Sequence, residues 1–308
     1  MVINENVDPE LLGGVAMSKR VCLLTTGGVG DILQGIQAAH YISQKIGKNN
    51  VDIRIYCRDE IWTPLNWLAG NLYNLIHQIE LSDDRIIKMM KICDYFGPQH
   101  DETLCVWPDT LWKFWNYDYG HPVAVRSHRL FPFYHKPQGK LIYCALSSTT
   151  ENYLYHNTGA LLRQLGKTLP EFTLYCPLPP SWNSKAINYG NLDNLCSDVI
   201  LDTKATFIEA IEKIKTAVYG ICLDNGPSHI LFHLGVPRLL LDPWLSNTGY
   251  AFMSRWREDI KESIDIHQSP AYIAKIVRTN LDIPETTLLP RDCAFEETNW
   301  KNKLLIKY

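Results

Sequence analysis

The stretch CLDNGPSHILFHLGVP, residues 222–237, governs the reading of the whole chain. Ile221, Cys222 and Leu223 close a short apolar strand, Asp224 to Ser228 form a turn, and His229 to Leu234 start a helix that Gly235-Val236-Pro237 ends. Pro227 suits a first helical position, where its missing N–H costs no hydrogen bond. A helix start presents free N–H groups and a partial positive charge, so a turn of this kind can seat a phosphate.

A second strand–turn–helix lies near the N-terminus. Val21 to Leu24 read as a strand, Thr25 to Gly30 as a glycine-rich loop, and Asp31 as the first residue of a helix running to about Ile46. Between and after these two blocks, strand and helix signals alternate, which favours parallel sheets covered on both faces. The first half continues with strand 52–57, a helix from Trp62 to about Ile76, an apolar run 78–81, a helix near 83–92 and a run 103–106. The second continues from Lys140–Ala145 through a helix near 155–166, strand 172–176, helix 205–217 and strand 238–241. His135-Lys136-Pro137-Gln138-Gly139 is the natural linker, since Pro and Gly cluster there between the two periodic halves. The expected organisation is α/β with two Rossmann-like domains, residues 1–138 and 139–308, and a last helix crossing back to the first domain.

Composition narrows the function classes. A chain of 308 residues with 46% apolar content can bury a sizeable core, and its length suggests two domains rather than one. A net charge of −3 gives no global positive field for nucleic acid or anionic membrane, although Arg126, His128 and Arg129 leave room for a local basic patch. The 9 cysteines form no CxxC pair and sit mostly in apolar strand-like runs, which reads as buried reduced thiols in a reducing compartment. No signal peptide and no apolar run of roughly 18 residues is present, so a cytoplasmic, soluble protein is expected.

The two blocks resemble the signatures of the lipopolysaccharide heptosyltransferase family, glycosyltransferase family 9. Its members carry Asp-Thr-Gly-x-x-His, an apolar helix and Gly-Val-Pro. Asp224, Gly226, Ser228, His229 and the Gly235-Val236-Pro237 exit match, and Asn225 stands where Thr is usual. The N-terminal block is similar to the family's strand, Gly-x-x-Gly-Asp, helix opening. The resemblance implies the GT-B fold, with an N-terminal acceptor domain, a C-terminal nucleotide-sugar domain and the site in the cleft between them. It implies a transferase moving a hexose or heptose from a nucleoside-diphosphate donor, with Asp31 as catalytic base. It further implies donor contacts from Thr149, Thr150, Asp224, Asn225, Gly226, Pro227, Ser228 and His229. Gly27, Gly28, Gly30, Arg126 and Arg129 would serve the acceptor or a phosphate. Where the family has a phosphate-binding Lys four residues after Thr-Thr, this chain has Leu154, and Lys167, Arg238 and Arg255 are the cations that could replace it.

The residues allow the chemistry without a metal or other cofactor. Metal-using transferases often hold the ion through Asp-x-Asp, which the sequence lacks. The leaving diphosphate would rest on the helix start at Gly226–Ser228, a contribution of only about 0.3–2 kcal/mol that side-chain donors must supplement. Asp31 reads either as a helix cap or as a base facing the cleft, His229 as a core histidine or a phosphate or ribose donor, and Asp224 as a cap or an acceptor for sugar hydroxyls. The aromatic and basic run 107–135 reads as domain packing or as an acceptor surface, since aromatic faces stack on sugars and Arg binds anions. A nicotinamide dehydrogenase is disfavoured because Leu33 takes the third glycine position of Gly-x-Gly-x-x-Gly. A nucleotide-sugar epimerase, a non-catalytic GT-B protein binding glycan or nucleotide, and a transferase acting on modified DNA stay open, as do donor and acceptor identity.

Overall fold

A computed structural model of the chain describes residues 21–26, 28–30, 32–33, 36, 40, 49, 51–78, 95–96, 129–148, 155–178, 195–196, 198–243 and 263–282. Two fully parallel sheets organise them. In the first, β1 (Val21–Thr26), β2 (Val51–Tyr56), β3 (Leu75–Gln78) and the short β4 (Tyr95–Phe96) lie in the order β3-β2-β1-β4. In the second, β5 (Leu141–Ala145), β6 (Thr173–Pro177), β7 (Val199–Asp202), β8 (Tyr219–Leu223), β9 (Arg238–Asp242) and β10 (Ser263–Asp265) run β7-β6-β5-β8-β9-β10. Counted from β5, that order is third, second, first, fourth, fifth, sixth, the doubly wound Rossmann arrangement.

Alternation along the strands divides the second sheet's side chains between two faces. Ile142, Cys144, Leu174, Cys176, Ile221 and Leu239 pack with α2 (Thr158–Thr168) and α5 (Pro270–Asn280). Tyr143, Ala145, Tyr175, Cys222 and Leu240 pack with α3 (Phe207–Thr216) and α4 (Gly226–Leu234). This second cluster does not stop at the sheet's own helices. It continues into Ile32, Leu33, Ile36, Ile53, Ile55, Leu65 and Leu68 of the first half, so the two halves share one buried apolar core. Ile79 to Leu81, the helix expected near 83–92, the run 103–106 and the crossing-back helix within 283–308 lie outside the described residues.

Several expected boundaries move. The helix after β1 already includes Val29 and Gly30, with the Ile32 N–H donating to the Gly28 carbonyl at 3.1 Å, so it opens ahead of Asp31. The helix placed at 62–76 is α1, Asp59–Ala69, where the acids Asp59 and Glu60 favour the first turn. Gly70 closes it, its N–H bonded to the Asn66 carbonyl, and the chain returns as β3 three residues earlier than the expected run at 78. At the other signature, Gly226 is the first helical residue and Pro227 the second.

Among the described residues, close contacts join the halves. A Cβ on Gly30 would stand 2.5 Å from His229 Cδ2, and one on Gly226 would stand 3.0 Å from Val29 Cβ, so each half's glycine admits a side chain of the other. The Lys215 ammonium on α3 lies 3.8 Å from the centre of the Trp67 ring on α1. The linker is tied to the end of α3: the Lys136 N–H donates to the Lys215 carbonyl (2.9 Å), the Gln138 N–H to Thr216 (2.9 Å) and His135 Nε2–H to Ala217 (2.8 Å).

Two predictions follow from this packing. Ordinary helical Gly→Ala changes stabilise by about 1 kcal/mol, but Gly30→Ala should destabilise by about 1–3 kcal/mol through overpacking against His229, and more than Gly226→Ala; urea unfolding of both variants checks sign and rank. Burial raises the thiol pKa of Cys57, with Asp59 adding to it, and that of Cys176, both to about 12, and raises that of Cys144 as well. At pH 8 the thiolate fraction of Cys57 and Cys176 is then on the order of 1 in 10⁴. Iodoacetamide should leave all three unlabelled in the native protein and label them after unfolding, read by mass spectrometry.

Candidate functional site

The site is built where β5 and β8 part. These neighbours pair through Ala145↔Cys222, and beyond that point β5 continues into Leu146–Ser148 while β8 turns into α4. In a doubly wound sheet this is the point where the strand order reverses, and ligands bind in the crevice it leaves at the carboxyl ends of the strands.

Asn225 holds the crevice together. Its Oδ1 accepts from the Ser228 N–H at 3.0 Å and the Ser228 hydroxyl oxygen accepts from the Asn225 N–H at 3.4 Å, closing a reciprocal cap, while the hydroxyl itself donates to the Asn225 carbonyl at 2.7 Å. Its Nδ2 donates to the carbonyls of Ala145 (2.9 Å) and Ser147 (2.8 Å) on the opposite loop. Both amide hydrogens are thereby committed within the protein, so the Asn225 side chain positions the turn rather than offering donors to a ligand. This gives the residue standing where Thr is usual a physical reason: one hydroxyl has a single hydrogen to donate. Of the first helical residues, Pro227 has no N–H and that of Ser228 is capped, which leaves the Gly226 amide as the donor the cap does not occupy.

His229 is 7% exposed and lies along the Gly30 backbone, where it joins the two halves. Asp224 is half-buried just after β8, and Gly28 is exposed at the head of the facing loop. Ser147 and Ser148 are buried beside the crevice. Asp31, Gly27, Thr149, Thr150, Leu154, Arg126 and Arg255 lie outside the described residues.

The structure relocates three cations. The Arg129 guanidinium lies 5.9 Å from the centre of the Phe232 ring, with Nη1 3.2 Å from where a Gly235 Cβ would be, so it sits at the C-terminal end of α4. That helix has nine residues and a rise of about 1.5 Å each, which puts Arg129 roughly a helix length from the Gly226 turn. There it complements the carbonyl end of the helix. Arg238 opens β9 and stacks over Phe232 at 5.0 Å, and Lys167 stands in the last turn of α2. Both belong to the amino-terminal edge of the parallel sheet, away from the crevice. Among the described residues, no group of three or more His, Cys, Asp or Glu side chains is arranged to hold a metal ion.

At the carboxyl edge of the first sheet, a group not singled out from sequence comes together. Trp62 stacks on His77 with ring centres 4.5 Å apart and planes 6° from parallel. His77 Nε2–H donates to the Cys57 carbonyl at 2.9 Å, which directs Nδ1 toward Asp59 Oδ1 at 3.8 Å. The signal available in the sequence was the pair Asp59 and Trp62 directly after an apolar strand.

No protein-family model matches the chain, and no curated protein matches its sequence. In structure it is similar to E. coli heptosyltransferase WaaC with ADP, at 12% identity and a TM-score of 0.54 over 85% of this chain and 99% of that one. It is similar to E. coli heptosyltransferase WaaC with ADP-2-deoxy-2-fluoro heptose at 12% identity and a TM-score of 0.50 over the same shares. It is similar also to E. coli ADP-heptose lps heptosyltransferase II, at 10% identity and a TM-score of 0.51 over 85% of this chain and 98% of that one. At these identities the likeness speaks to architecture, and with the two parallel sheets it establishes the GT-B fold for this chain.

Proposed function

We propose that the protein is a glycosyltransferase that moves a sugar from a nucleoside-diphosphate donor to an acceptor hydroxyl without a metal ion. The observation that carries the reading is the meeting of two strand-end loops in a GT-B frame, Gly30 against His229 and Val29 against Gly226. The fold likeness to enzymes whose structures contain ADP or an ADP-heptose analogue supports it. In this reading the diphosphate lies over Gly226–Ser228, with hydroxyls from Thr149 and Thr150, and Asp224 accepts hydrogen bonds from the donor sugar. The acceptor oxygen attacks the anomeric carbon as the bond from that carbon to the diphosphate oxygen breaks. Asp31 takes the acceptor's proton, and the negative charge left on the diphosphate is met by the Gly226 amide and the helix dipole. The acceptor is a glycan, a glycolipid or another hydroxyl compound, approached from the first domain, residues 1–138.

Thermal unfolding with ADP-, UDP-, GDP- and CMP-sugars tests the donor: a ligand at about 100 times its dissociation constant stabilises by about 2.7 kcal/mol. Binding without donor hydrolysis or transfer would instead mark a non-catalytic binder. A salt-sensitive shift with oligonucleotide would point to a DNA acceptor.

Two further outcomes are expected. Turnover should persist in excess EDTA, and complete loss reversed by added Mg²⁺ or Mn²⁺ would show a metal-dependent enzyme. Asp31→Asn should fold normally and lower kcat by about 10²-fold or more; near-native turnover in steady-state assays would reduce Asp31 to a helix cap.

A further inference from the structure

We infer that Asn225 is a positioning residue that sets the distance between two phosphate-binding donors, the Gly226 amide and the Ser147 hydroxyl. The inference rests on the reading of the site as a nucleoside-diphosphate site and adds the device that fixes its geometry. Three observations lead to it. First, the ladder between β5 and β8 ends at Ala145↔Cys222, so nothing in the sheet itself fixes where the 146–148 loop stands relative to the start of α4. Second, one side chain bridges the two segments: Nδ2 of Asn225 reaches the Ala145 and Ser147 carbonyls while Oδ1 stays on the Ser228 N–H. The amide orientation is unambiguous, since two carbonyl acceptors require the NH₂ group on their side.

Third, the loop presents a hydroxyl on the right side. Ala145 faces α3 and α4, Leu146 faces the opposite cluster, and alternation returns Ser147 to the α4 side. Ser147 is 7% exposed, and the bond from Asn225 engages its carbonyl and not its hydroxyl. In this inference the Ser147 hydroxyl and the Gly226 amide stand on either side of Asn225, whose bond to the Ser147 carbonyl sets how far apart the two segments lie. A phosphate oxygen pair can bridge two such donors; an uncharged nucleoside has nothing to place there.

The distinguishing experiment compares nucleoside diphosphates with nucleosides. Asn225→Ser keeps a good helix cap without charge and removes both donations to the facing loop. Calorimetry on the full chain, well below the unfolding temperature of each variant, would measure ADP, UDP and GDP and the corresponding nucleosides. The expected result is a loss of tenfold or more in affinity for the diphosphate that the unaltered protein binds, with the affinity for its nucleoside changed less than threefold. Ser147→Ala should show the same selective loss at smaller size. If Asn225→Ser does not fold, Asn225→Thr, which likewise caps the helix and cannot donate to both carbonyls, should show the same selective loss of diphosphate affinity. Equal loss for diphosphate and nucleoside, or no loss for either, would overturn the positioning role and leave the site standing. Failure of the unaltered protein to bind any of the three diphosphates would remove both the donor site and this inference.

Discussion

The structure depends on a close approach of backbone to side chain between its two halves. Gly30 and Gly226 each stand where a β-carbon would collide with the other half. Neither glycine has positive φ, so space and not backbone freedom fixes the residue. With those surfaces in contact, the carboxyl ends of β1 and β8 are brought to the same place, and their loops become the two walls of one crevice. The shared core around Ile32, Leu65, Ile214 and Leu231 lies behind this contact and fixes it. Removing the buried face of either half from the other would return those side chains to water at about 25 cal/mol per Å².

Electrostatics at the crevice come from few groups. Asn225 and Ser228 close a cap that answers the helix's own unmet donors and stops short of the Gly226 amide. Of the cations that sequence offers for the missing Lys, Arg238 is turned to the Phe232 ring and Lys167 to the far end of α2, while Arg255 lies outside the described residues; Arg129, from the basic run, also lies on Phe232. Among the described residues, the positive character of the crevice therefore rests on oriented peptide groups and hydroxyls.

Much of the fold was legible because the signals were local. Apolar runs such as Lys140–Ala145 and Arg238–Leu241 were read close to the true limits of β5 and β9, and the turn at Asp224–Ser228 announced the helix behind it. The misplaced β3 had a local cause too: an apolar sequence through Leu75 and Ile76 carries on smoothly from α1, and only Gly70 and the turn after it mark the stop. The site was legible as a list and not as an arrangement. That Asn225 spans to Ala145 and Ser147 requires knowing that β5 and β8 are neighbours, and in chain order four described elements separate them. Arg129 was placed by composition, and its position at the far end of α4 follows from packing that periodicity does not carry.

The linker has a mechanical consequence. The carbonyls of Lys215, Thr216 and Ala217 at the end of α3 find their donors in Lys136, Gln138 and His135, so the connecting segment completes a helix terminus. A strand of chain held by three such bonds is a lever and not a string. Any swing of the first half about the second must pivot before Phe131, whose N–H is already held by the His233 carbonyl at 2.8 Å, because rotation applied beyond it would turn α3 and α4 with the sheet they cover.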